Sequence, residues 1–250
     1  MESIKISFGD YPRYEELVLR KDKLEKEALY YRDEYIRVFG NYAIERFELT
    51  VACIGLKKKI NYCQAALNRG DAPDMAKITE AVNREMASYN KELKEMVNDK
   101  KLIDGAGTVS QYDLLKIKKI YHAVAKILHP DINPMTGEDE ELLELWHKVV
   151  TAYKCNKLKD LQDLQVIVNK TLKDKGLNTM NIVIDNIDQK ISELEDKIKT
   201  IITTDPYNYR FLLDDEEAVE DKRKEFEDSI KELSIYKEEL ENILHELTGE

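Results

Sequence analysis

Glycine and proline are scarce in this chain, 9 and 5 among 250 residues. Sandwiches, barrels and doubly wound sheets are turn-rich, and turns draw on those two residues, so their scarcity argues against a β-built fold. Strand signals are nearly missing too. The β-branched clusters Ile182–Ile184 and Thr200–Thr204 sit inside or beside helical periodicity. Three cysteines, Cys53, Cys63 and Cys155, make neither a Cys-x-x-Cys pair nor an even set. That excludes a disulfide framework and a cysteine-based zinc site, and it reads as reduced thiols. No apolar run reaches the length a bilayer requires. The opening MESIKISFGD has neither the basic nor the apolar region of a signal peptide. These absences lead to the expectation of a soluble, cytoplasmic protein with no membrane partner.

What is present is charge and amphipathic periodicity. Charged residues make up 36% and apolar residues 42%, a balance that suits long helices with one wet and one dry face. The expected fold class is all-α. The net charge of −11 is placed unevenly, with 9 basic against 21 acidic residues from Gly176 onward. Phosphate binding needs clustered cations, so this acidic arm speaks against a nucleic-acid surface there. Lys57–Lys59 and Lys116–Lys119 are the only basic runs that would support one.

The prolines and most glycines fall between periodic segments, because proline is excluded from helix interiors. They divide the chain into a first helical stretch from about Tyr14 to Asn68, continuous or broken near Gly40. A second, with Pro73 in its first turn, runs to about Val97. Ser110 is a plausible N-cap for a helix ending at Leu128. Further helices run from about Glu138 to Cys155 and from about Leu158 to Leu172. In the last third, Ile184, Ile187, Ile191, Leu194, Ile198 and Ile201 recur at alternating spacings of three and four. So do Phe226, Ile230, Leu233, Leu240, Leu244 and Leu247, with Lys237 in the gap. Two heptad seams joined by a short proline-bearing connector predict an antiparallel coiled-coil hairpin. The organisation expected is an N-terminal helical region over 1–100, a central region over 101–173 and an acidic hairpin over 174–250.

The central region carries the one motif with chemical content. Ile117, Ile120, Val124 and Leu128 form an apolar face, and Lys118, His122 and Lys126 recur on the opposite side with Tyr121 at its border. The pattern ends at His129-Pro130-Asp131. Beyond it Leu142, Leu145, Trp146, Val149, Ala152 and Tyr153 form a second apolar face. The two faces should pack as an antiparallel pair, with the loop projecting from one end.

This stretch, IKKIYHAVAKILHPD followed by Asn133-Pro134, resembles without a gap the second helix and loop of J-domains, the DnaJ-type co-chaperones. Trp146, Val149 and Ala152-Tyr153 match the family's third helix. The resemblance covers about Leu102 to Leu172. It implies docking on a DnaK-type heat-shock chaperone and stimulation of its ATPase. Asp131 would engage a basic group of the partner while His129 and Pro130 shape the loop. Lys118, Tyr121, His122, Lys126 and Asn133 would complete the docking face. On this reading the chain is not an enzyme and needs no cofactor or metal. Three departures stand out: Ile132 occupies a position where the family often has lysine, His122-Ala123 replaces two cations, and the family's short first helix has no convincing match. A scaffold built on coiled-coil arms, with a vestigial J-like hairpin, is the alternative.

Other local patterns fail their chemistry. DINPMTGEDEEL starts like a calcium loop but has Met135, Thr136 and Leu142 where a ligand, a glycine and a bidentate glutamate are required. Glu144 and His147 form a Glu-x-x-His without the second copy a di-iron bundle needs. Gly105–Thr108 lacks the lysine of a phosphate loop.

Overall fold

A computed structural model describes residues 10–107, 109–176, 184 and 186–249. The first nine residues, Thr108, and Ile182 and Val183 of the β-branched cluster lie outside that set. The described residues form helices and no strand: α1 (Asp10–Asn68), α2 (Met75–Glu85), α3 (Ala87–Gly105), α4 (Gln111–Leu128), α5 (Met135–Glu138), α6 (Glu140–Lys154), α7 (Leu158–Asp174), α8 (Ile187–Thr203), α9 (Tyr209–Leu213) and α10 (Glu216–Thr248). The fold is all-α with helical hairpins. Among the described residues no helix is long and apolar enough to cross a membrane.

Helix ends follow side-chain chemistry. Ser110 accepts the Asp113 N–H at 3.1 Å and opens α4, while Asp139 does the same for Leu142 at the start of α6. Asp74, not Pro73, sets the start of α2, because its carboxylate accepts the Lys77 N–H and leaves Pro73 before the cap. The helix expected over this stretch is also interrupted at Met86, whose side chain is buried with Val51, Cys63, Ile78 and Val82. It then resumes as α3 and continues beyond Val97 to Gly105. α1 runs unbroken through Gly40.

The chain divides into two compact units, each assembled from separated segments. One holds residues 31–106 and 209–250. Within it the seam of α10, with Leu233, Tyr236, Leu240 and Leu244, packs on Cys53, Leu56 and Ile60 of α1. The sequence pattern pairs α10 with α8; the apolar partner this seam has in its own unit is α1, while α8 belongs to the other unit.

That other unit holds residues 1–30 and 107–208. Here α4, α6 and α7 pack mutually, and the short α5 leans on α6. Ile117, Val124, Leu128, Leu142, Val149, Leu161 and Val168 are almost fully buried. The start of α1 is built into the same unit. Leu17, Val18 and Leu19 are all buried in succession, which happens when a helix is flanked on more than one side. Glu15 reaches Lys126 of α4 at 2.8 Å, Glu25 faces Lys154 of α6 at 3.9 Å, and Arg13 pairs with Glu195 of α8. Ile191, Leu194 and Ile198 of α8 are buried, as their heptad spacing requires.

Candidate docking site

The site is the corner where α4 ends. The last helical carbonyls have no i+4 partner within the helix, and the loop residues supply one. The His129 N–H donates to Ala125 O at 2.9 Å, and Asn133 Nδ2 donates to Ile127 O at 3.0 Å. The Ile132 and Asn133 N–H groups both donate to His129 O. Pro130 cannot donate and fixes its own φ, so the chain leaves the helix at this residue.

His129 is buried, 6% exposed, and its ring meets the Trp146 indole edge to face with centroids 4.5 Å apart. Its Nδ1 accepts the Asp131 N–H at 3.0 Å. Its Nε2 lies 3.4 Å from Oδ2 of Asp22, a residue of α1. The same oxygen accepts the Tyr121 O–H at 2.6 Å. Tyr121 in turn stacks on Tyr153 with centroids 3.7 Å apart. Burial by itself would raise the Asp22 carboxyl pKa; His129, Tyr121 and Lys21 outweigh it and hold the group below its usual range. For Tyr121, burial and the Asp22 carboxylate both push the phenol upward.

Tyr121 therefore does not sit at the border of an open face. It is 2% exposed, because the start of α1 covers that side of α4. Lys126 stays exposed but is engaged by Glu15. His122 is half-buried, with its Nε2 unpartnered; burial first, then Lys118 and Lys126, lower its pKa, so it adds no cation to the face. Lys118 is exposed. Asn133 is buried and acts as a cap. Pro130 is half-buried, and Asp131 is the acidic group the tip displays, with half its side chain in solvent.

Ile132, where a lysine is common in J-domains, is fully buried. The isoleucine at this position is part of the packing of the corner. Sequence reasoning missed Asp22, which is 99 positions away from its partner Tyr121. The one signal available was an acidic residue between apolar positions Val18 and Leu24 of α1. It also missed that Trp146 seats the histidine ring.

Glu144 pairs with Lys148 at 2.7 Å and not with His147 across the turn. Among the described residues no group of histidine, cysteine and carboxylate side chains could hold a metal ion. In the comparisons with known proteins, no family model, no curated protein and no solved structure matches the chain.

Proposed function

We propose that this chain is a cytoplasmic J-domain-type co-chaperone that docks on a DnaK-type heat-shock chaperone and stimulates its ATPase. The observation that carries the reading is the corner itself. His129-Pro130-Asp131 stands where α4 gives way to the turn before α5, the histidine fastened inward and the Asp131 carboxylate outward. An exposed carboxylate on a rigid turn suits capture of a basic group, and Lys118, exposed farther back along α4, can steer encounter with an acidic surface. The chain itself makes and breaks no bond; the chemistry belongs to the partner. The helices of the other unit supply the choice of client or location.

The test is steady-state ATP hydrolysis by a DnaK-type chaperone of the host. The intact protein should raise the rate, and Asp131→Asn should weaken that effect roughly tenfold or more. No stimulation by the intact protein would sink the reading.

One observation favours a second reading, in which the chain is a coiled-coil scaffold and its J-like hairpin is vestigial. Tyr121 and Lys126, two members of the implied docking face, are engaged by α1. If a bound partner is captured equally by wild type and Asp131→Asn, and ATP hydrolysis is unmoved, the scaffold reading holds.

A further inference from the structure

We infer that Asp22 of α1 is a positioning residue for the docking tip, acting through His129 on Asp131. The inference rests on the docking function proposed above. Three polar groups face the imidazole: the Asp131 N–H and, at 3.9 Å, the Asp131 carboxylate on the Nδ1 side, and Asp22 on the Nε2 side. Nδ1 accepts the Asp131 N–H at 3.0 Å, so it carries no proton. A neutral ring then bears its proton on Nε2, and Nε2 faces Asp22 Oδ2 at 3.4 Å. At that separation the carboxylate acts by its charge more than by a short hydrogen bond. It stabilises the Nε2–H tautomer and thereby leaves the Nδ1 lone pair free for the Asp131 amide.

The surroundings hold both partners still. Tyr121 anchors the Asp22 oxygen at 2.6 Å, and Trp146 packs against the imidazole. Asp22 is 8% exposed and His129 6%, so water competes little for either. With the tautomer set, the Asp131 amide is tied down and its carboxylate points out of the turn. Without Asp22, the Nδ1–H tautomer becomes available. That proton would face the Asp131 N–H, donor against donor, and the turn would open.

Nuclear magnetic resonance of the full chain reads this directly. Long-range proton–nitrogen spectra, with the His129 signal assigned by its loss in His129→Gln, should show the Nε2–H tautomer. The Asp131 amide should be protected from exchange. In Asp22→Ala the tautomer becomes mixed, Asp131 exchange speeds at least tenfold, and ATPase stimulation falls at least tenfold. Asp22→Asn keeps the shape of the side chain and removes its charge, so it should shift the tautomer and the stimulation in the same direction as Asp22→Ala. Glu25→Gln, a nearby carboxylate of the same segment that faces Lys154, should change none of these.

An Nδ1–H tautomer or an unprotected Asp131 amide in the intact protein overturns the inference, as does an Asp22→Ala variant with both signals unchanged. If the signals respond to Asp22→Ala but the intact protein never stimulates a DnaK-type ATPase, the docking function falls and the positioning role stands.

Discussion

Gly40 and Gly55 lie in the same helix, and the residues around them give them opposite roles. A Cβ on Gly40 would come within 2.7 Å of Lys100 Cδ and 3.3 Å of Ile36 Cγ2, whereas nothing lies within 4 Å of one on Gly55. Lys100 is 8% exposed and tied to Asp104, so its side chain has little room to retreat. Glycine inside a helix costs roughly 0.5–1 kcal/mol relative to alanine. Gly55→Ala should recover that amount in urea unfolding, and Gly40→Ala should lose stability. Adding Gly40→Ala to Lys100→Ala should restore the gain, since the two effects meet at one contact. Asp22 offers a second test at this scale. Its folded-state pKa lies below the ordinary value, so its contribution is complete above about pH 4. It is lost as pH falls through the folded pKa. The stability difference between wild type and Asp22→Asn should be present at pH 5 and shrink as the pH is taken down below 4.

Among the elements, α4 and α6 were legible from sequence because their signals are local: apolar spacing, a serine or aspartate cap, a proline at the stop. The break at Met86 was not, because a core position there outweighs helix continuity. A heptad seam specifies that an apolar partner exists but not which helix it is, and α10 finds α1. The tip was half legible. Its residues were found, yet the inward turn of His129 and the burial of Tyr121 depend on a helix from another part of the chain. Ile132 shows what such burial implies for engineering. Ile132→Lys would introduce the cation that the proposed docking face lacks here, but the site is fully enclosed. It should destabilise the protein by about 2–4 kcal/mol through lost apolar burial and a poorly solvated charge, read as a lowered urea midpoint with an unchanged slope. A variant as stable as wild type would show that the loop can turn this side chain into solvent.

At the scale of the whole molecule, the decisive feature is that the site-bearing unit is discontinuous in sequence, with residues 1–30 joined to 107–208. The hairpin's apolar pattern lies entirely in the second segment, which is why the hairpin was legible in the sequence and its cover was not. The cover is substantial. Leu17, Val18, Leu19 and Leu24 are all buried, with Tyr14 and Ala28 beside them. Burying a valine or leucine side chain is worth about 1.5–3 kcal/mol, so these four alone contribute roughly 6–12 kcal/mol. That equals the whole net stability of an ordinary domain. Residues 107–208 expressed alone should therefore lack a cooperative unfolding transition. They should also leave Trp146, now 6% exposed and packed on His129, with the red-shifted emission of a wetted indole. Residues 10–30 joined to 107–208 through a flexible glycine–serine linker in place of 31–106 should restore both the transition and the buried emission. If the shorter fragment folds cooperatively by itself, α1 is a dispensable cover on a hairpin that stands alone, and Asp22 could be lost without cost to the corner.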